Sequence, residues 1–131
     1  MATIFTKIVN GEIPSYKIAE NEKFFAFLDI NPLVKGHTLV IPKQETDYIF
    51  DIDDATLAEM MIFAKKVGKA IENAIPCKRI GITIMGLEVP HAHIHLIPMI
   101  SGMSDMNFTN PKLKLSKEEF QEIAEKIKAS Y

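Results

Sequence analysis

Cysteine occurs once in the 131 residues, at Cys77. A lone thiol excludes an internal disulfide and a cysteine-rich zinc cluster built within one chain, and it fits a reducing compartment. Long apolar runs are missing as well. Nothing approaches the roughly 18 residues needed to cross a bilayer, and the opening Met1-Ala2-Thr3-Ile4-Phe5-Thr6-Lys7 lacks the apolar core of a secretion signal. The expectation is a cytoplasmic protein with no membrane partner. Positive charge is not in surplus: the formal net charge is −2, so no basic stripe is available to follow a phosphate backbone. A nucleic-acid polymer is therefore not an expected partner.

Repeats and low-complexity stretches are absent too, and the six glycines and seven prolines are scattered instead of gathered into a linker. One continuous domain over residues 1–131 is expected. With 47% apolar residues, a chain of this length buries roughly 65–70% of its unfolded surface, enough for a single core.

Within that domain, Ile4-Phe5-x-x-Ile8-Val9 has helical spacing and stops at Asn10-Gly11, which predicts a short N-terminal helix. Phe24 to Leu28 and Leu39 to Ile41 are short runs of aromatic and branched residues separated by Asn31-Pro32 and Gly36, the pattern of two meander strands. Asp53 or Asp54 is suited to cap a long helix in which Leu57, Met60, Met61, Ala64, Val67, Gly68, Ile71 and Ile75 recur on one face before Pro76. Arg79 to Met85 and His91 to Ile97 alternate as strands, the second bounded by Pro90 and Pro98. After a loop at 101–115, Ser116-x-x-Glu119 is a capping box leading into Phe120, Ile123, Ala124 and Ile127, which predicts a C-terminal helix. Short connections between strands, with one long helix to cover a face, imply a mostly antiparallel α+β fold. With so few helices, a second copy of the chain is a plausible cover for an exposed sheet edge or face.

Three of the four histidines fall within His91-Ala92-His93-Ile94-His95. On a strand, alternate residues project to one side, so the three imidazoles would share a face while Ala92, Ile94 and Leu96 bury the strand on the core. A one-residue slip would drive the whole histidine row into the apolar interior, so its register is strongly specified. The row supports three readings. A neutral imidazole could attack phosphorus while neighbouring donors, protonated imidazole included, hold the non-bridging oxygens. Alternate histidines could instead share a zinc ion. The third reading is a fortuitous polar stripe, which three histidines in five residues make a poor account.

The chain resembles the histidine-triad (HIT) superfamily, and within it the Hint branch of nucleotide phosphoramidases. The resemblance spans roughly residues 3 to 98. It rests on His91-Ala92-His93-Ile94-His95-Leu96-Ile97, on Ile4-Phe5-x-Lys7-Ile8-x-x-x-Glu12-Ile13-Pro14, on Ala26-Phe27-x-Asp29-Ile30-x-Pro32 and on Gly36-His37-Thr38-Leu39-Val40-Ile41-Pro42-Lys43, in that family's order. It implies a HIT-like fold with a five-stranded, mostly antiparallel sheet that pairs as a homodimer, residues 1–98 forming the family core and 99–131 a C-terminal extension. It also implies roles. His93 would be the nucleophile, forming a transient nucleotidyl-histidine, and His91 and His95 would orient it and donate to the α-phosphate. His37 would lie near the phosphate, and Asp29 would bind the ribose hydroxyls with its two acceptor oxygens. Ile4, Phe5, Ile8, Phe27, Leu28, Ile30 and Leu39 would form the slot for a purine base. No cofactor and no metal is implied.

Two departures stand out. Before the triad, the family usually carries a longer glycine-rich loop with a Ser or Thr, where this chain has Met85-Gly86-Leu87-Glu88-Val89-Pro90. The Glu88 carboxylate would repel phosphate oxygens when ionised, or serve as a general acid if burial raised its pKa. The segment after Pro98 replaces a short tail with a loop and helix that could reshape the mouth of the site or extend the dimer contact. The expected function is hydrolysis of a nucleoside 5′-phosphoramidate, with a dinucleoside polyphosphate hydrolase and a nucleotide-binding adaptor of low turnover as rivals.

Overall fold

A computed structural model describes residues 2–131. In chain order it contains α1 (Ile4–Val9), β1 (Lys17–Glu20), β2 (Phe24–Leu28), β3 (Thr38–Pro42), a single 3-10 turn at Ile49–Asp51, and α2 (Asp54–Ala74). β4 (Arg79–Thr83), β5 (Ile94–Met99), a second 3-10 turn at Met103–Met106 and α3 (Lys117–Ser130) follow. The strands form one five-stranded antiparallel sheet in the order β1-β2-β3-β5-β4. The fold is α+β, as expected.

The helices begin where their capping chemistry begins. The Thr3 hydroxyl accepts from the Thr6 amide at the start of α1, Asp53 accepts from Thr56 at the start of α2, and Ser116 and Glu119 form a reciprocal capping box on α3. Each satisfies donors that the first helical turn leaves unpaired.

Alternation along the strands divides the buried residues between two faces. Phe24, Ala26, Leu28, Val40, Ile94 and Leu96 point toward α2 and α3 and build the main core with Met60, Phe63, Ala64, Val67, Ile71, Phe120 and Ile127. Phe25, Phe27, Leu39 and Ile41 point to the opposite face, where Phe5 of α1 covers them. The cross-strand register sets Phe27 opposite Leu39 and Leu39 opposite His95, so one transverse row runs from aromatic through aliphatic to imidazole.

Several expectations need correction. β1 pairs with β2 at the sheet edge, with an irregularity between Lys17 and Ala19, and the residues gave no sign of it. In α2, Met61 is 38% exposed, while Phe63 takes a place in the core. β5 begins at Ile94 instead of His91, because the preceding backbone is held elsewhere: the His91 amide donates to Val89 and the Ala92 amide to Thr46. The strand also runs through Pro98. No β3 residue pairs beyond Leu96, so the missing N–H breaks no ladder bond there.

Candidate active site

All four histidines gather on the sheet face covered by α1, and all are buried, with exposures of 0–7%. The His93 ring packs edge-on to Phe5, centroids 5.1 Å apart, and to His95 at 4.9 Å. His95 meets His37 at 5.2 Å. His37 reaches the group from the other side of the chain because Gly36, at φ +94°, turns the backbone sharply into β3, where a Cβ would also collide with the Ile75 side chain.

The protons on these rings can be placed from partners that have no choice of role. The His93 Nδ1 atom lies 2.8 Å from the carbonyl oxygen of His91. A carbonyl only accepts, so Nδ1 carries the proton and the lone pair of His93 is on Nε2. The backbone amide of Leu33 donates to His37 Nδ1 at 3.0 Å, which leaves the His37 proton on Nε2. His37 Nε2 lies 2.9 Å from His95 Nδ1 and donates to it, which puts the His95 proton on its own Nε2. No buried side-chain nitrogen among the described residues lacks a partner, so the unbonded Nε2 atoms of His93 and His95 are open at the surface of the site. One presents a lone pair and the other an N–H.

Burial keeps the His37–His95 pair uncharged. Desolvation pushes His37 down to about 3 and His95 down to about 4, with neighbouring imidazoles adding to the effect. The protonated-imidazole donor considered from sequence is therefore replaced by neutral N–H donors. His91 is also lowered, chiefly by burial.

His91 itself departs from its expected role. Its Nε2 donates to the Pro42 carbonyl at 2.8 Å and its Nδ1 faces the Thr3 hydroxyl at 2.8 Å, so neither nitrogen is free to donate to a phosphate. It contributes its main-chain oxygen to His93 instead.

Asp29 stands beside this group, its Oδ2 3.6 Å from His37 Nε2, while its Oδ1 accepts from the Asn31 amide. Burial holds its carboxyl above the usual range, partly offset by that amide bond. Asp29, His37 and His95 offer ligand atoms within 4.8 Å of one another, a group that could hold a cation. Their protons argue against it: a metal at that point would have to displace the N–H of His37 and forfeit its bond to His95.

Of the residues expected in the apolar slot, Phe5, Phe27 and Leu39 pack in one cluster and Ile8 lies against it. Phe5 meets Phe27 edge-on at 5.6 Å and so forms one wall against the histidines. Leu28 is not in this cluster. As the neighbour of Phe27 on a strand it points the opposite way, into the core beneath α2 and α3. Ile4 is 47% exposed. Ile30 is 62% exposed and borders a separate groove of about 490 Å³ beside Tyr16 and α3. Glu88 is exposed, so the burial on which its general-acid role depended is not there.

The structure adds residues that the sequence reading missed. Phe108, in the loop after β5, sets its ring against His95 with centroids 4.8 Å apart, and against His37 at 6.1 Å. The loop is held down by the Leu113 amide on the Pro32 carbonyl, and Lys112 donates to the carbonyls of Phe108 and Asn110. Thr3, Thr6 and Glu45 surround the outer side of His91. The Thr3 cap before Ile4 was a visible signal for a helix start, but nothing in the sequence tied it to a histidine 88 residues away.

The HIT domain profile matches residues 10–102. Adenosine 5′-monophosphoramidase hnt1 of Schizosaccharomyces pombe is 39% identical over 129 residues, covering 97% of this chain and 96% of that protein. A HIT-like protein of Borreliella burgdorferi is 38% identical over 131 residues, covering 95% and 94%. Among solved structures, a Hit-like protein of Bartonella henselae involved in cell-cycle regulation superposes with a TM-score of 0.86 at 32% identity, over 98% of this chain and 96% of that one. Matched over most of its length in both sequence and fold, the chain belongs to the HIT family.

Proposed function

We propose that this chain is a nucleotide hydrolase acting at the α-phosphate, a purine nucleoside phosphoramidase that works through a nucleotidyl-histidine on His93. The observation that carries the reading is the bond from His93 Nδ1 to the His91 carbonyl, which leaves the Nε2 lone pair at the open face of the site. In the first step Nε2 attacks phosphorus, an N–P bond forms, and the bond to the leaving amine breaks as that amine takes up a proton from solvent, which the attacking water of the second step returns. In the second step water displaces His93 and releases the nucleoside monophosphate. The His95 Nε2–H, oriented through His37, would donate to a non-bridging oxygen as charge develops there. Phe5, Ile8, Phe27 and Leu39 would hold the base, with Ile4 and Ile30 at the rim, and Asp29 would accept from the ribose hydroxyls. No step requires a metal or cofactor.

The naming of Schizosaccharomyces pombe and Saccharomyces cerevisiae relatives as adenosine 5′-monophosphoramidases, the latter 42% identical over 98 residues, supports this choice of substrate. A homodimer belongs to the same reading. β4 pairs with β5 alone among the described residues, and its free edge carries Ile82, 48% exposed, beside Met61 of α2. No helix among the described residues is long and apolar enough to cross a membrane, which is compatible with a cytoplasmic setting. The exposed Glu88 favours a second reading, a nucleotide binder with little turnover, because an acidic side chain near the phosphate would oppose charge build-up.

The test is turnover of adenosine phosphoramidate by the native protein and by His93→Ala, with AMP followed by chromatography in the presence of a chelator. AMP from the native protein alone supports the hydrolase. Binding of AMP by both proteins with release by neither supports the binder.

A further inference from the structure

We propose that Glu45, acting through Thr3 and Thr6, is a positioning residue that locks His91 and through it the attacking orientation of His93. The inference rests on His93 being the nucleophile, and it assigns work to three side chains outside the histidine group.

The argument is one of proton accounting. The Pro42 carbonyl can only accept, so the His91 proton is on Nε2 and Nδ1 is an acceptor. The donor to Nδ1 must then be a hydroxyl, and two compete for it: Thr3 Oγ1 at 2.8 Å and Thr6 Oγ1 at 3.5 Å. Glu45 resolves the competition. Its Oε1 accepts the Thr6 hydroxyl at 2.7 Å and the Thr3 amide at 2.8 Å, which turns Thr6 away and draws the Thr3 backbone into place. The Thr3 oxygen accepts the Thr6 amide as the cap of α1, and of the two acceptors within reach of its O–H, His91 Nδ1 at 2.8 Å is nearer than Thr6 Oγ1 at 3.2 Å. With both ring nitrogens held, His91 cannot rotate, and its main-chain oxygen stays 2.8 Å from His93 Nδ1. The same helix carries Phe5, whose ring packs edge-on to His91 at 5.7 Å and to His93 at 5.1 Å. Glu45 is lowered below the ordinary carboxylate range by its bonds to Thr3 and Thr6, which keeps it an acceptor at neutral pH. A nucleophile held within a narrow range of angles gains rate without tighter substrate binding, so the contribution should appear in kcat.

Three variants separate positioning from plain stability. Thr3→Val removes the O–H and the helix cap together, Glu45→Ala leaves the cap intact, and Thr3→Ser retains both functions. Each is assayed for kcat and KM on adenosine phosphoramidate below its own melting temperature, with ring-nitrogen chemical shifts of His91 and His93 recorded by NMR. Thr3→Val should lower kcat about fivefold, the worth of one hydrogen bond, with KM within twofold. Glu45→Ala should lower kcat by a smaller factor in the same direction, and Thr3→Ser should restore the native value. In both impaired variants the His91 Nδ1 signal should move, as its hydroxyl donor is lost or released, while the proton stays on Nε2 facing Pro42, and the His93 signals should move with it. The proposal is overturned if melting falls while kcat and the His91 and His93 signals stay native, since Thr3 is then only a cap. It is equally overturned if KM carries the whole loss. Should the native protein show no turnover, the hydrolase reading fails separately and the nitrogen shifts alone decide the positioning claim: moved His93 signals uphold it, unmoved signals refute it.

Discussion

His37 Nε2 and His95 Nδ1 meet at 2.9 Å, and the direction of the proton between them is imposed by the backbone amide of Leu33 on the far side of the His37 ring. A main-chain donor in the loop before β3 thus decides which nitrogen of a β5 histidine carries the proton at the open face of the site. His37→Phe keeps a flat aromatic ring at that position but removes the relay. His95 is then free to place its proton on either nitrogen, and kcat for phosphoramidate cleavage should fall about tenfold while KM changes little. The Leu33 amide loses its acceptor, so urea denaturation should register a loss of about 1–3 kcal/mol.

Stability should depend on pH in a window set by the same pair. Both histidines have folded pKa values below the ordinary 6.5, about 3 for His37 and about 4 for His95. Between those values and 6.5 the unfolded chain binds protons that the folded chain does not. Full stability is therefore present above about pH 6.5 and is lost as the pH falls toward 4, each histidine contributing at most ~1.4 kcal/mol per pH unit. The lowered His91 acts in the same direction. Urea midpoints measured from pH 7.5 to 4.5 should fall steadily below 6.5, and more shallowly in His37→Phe. A flat profile would mean that these rings are charged in the folded protein.

Phe108 links the C-terminal extension to the site through its contact with His95 at 4.8 Å. Phe108→Ala should admit water to that ring. The His95 pKa, followed by NMR, should then rise from about 4 toward its ordinary value, with a loss of about 1–2 kcal/mol in stability for a half-buried aromatic. An unchanged His95 titration would show that the extension does not shield the site.

Glu88 is exposed, so Glu88→Ser should leave stability within about 0.5 kcal/mol. Removing a negative charge from the approach to the phosphate, and supplying a hydroxyl there, should raise kcat/KM for adenosine phosphoramidate by about two- to tenfold. A fall instead would assign the carboxylate a part in the chemistry.

The readable parts of this protein were those in which one physical signal acts locally. α2 follows from the Asp53 cap and a 3.6-residue apolar period, and α3 from the Ser116–Glu119 box. β1 escaped notice because Lys17-Ile18-Ala19-Glu20 is four residues long, shows no alternation and pairs irregularly; only Phe24–Leu28 beside it makes it a strand. The start of β5 was misplaced because hydrogen bonds from His91 and Ala92 to Val89 and Thr46 divert the backbone before Ile94, and a periodic pattern carries no trace of them. Within the site, the histidines stood out by density, and Phe27 by its place on a strand. Leu28 was assigned to the wrong face because family blocks group residues that a pleat separates. Thr3, Glu45 and Phe108 were invisible for another reason: each acts through a partner tens of residues away, brought near only by the completed sheet.

The central claim is a covalent step at His93, and the direct measurement is a rapid acid- or denaturant-quenched reaction with adenosine phosphoramidate, with the peptide containing residues 91–95 examined by mass spectrometry. The account predicts a transient mass increase of one adenylyl group on His93 that forms and decays within a turnover and is absent in His93→Ala. AMP release without that adduct, continuing unchanged in His93→Ala, would contradict it.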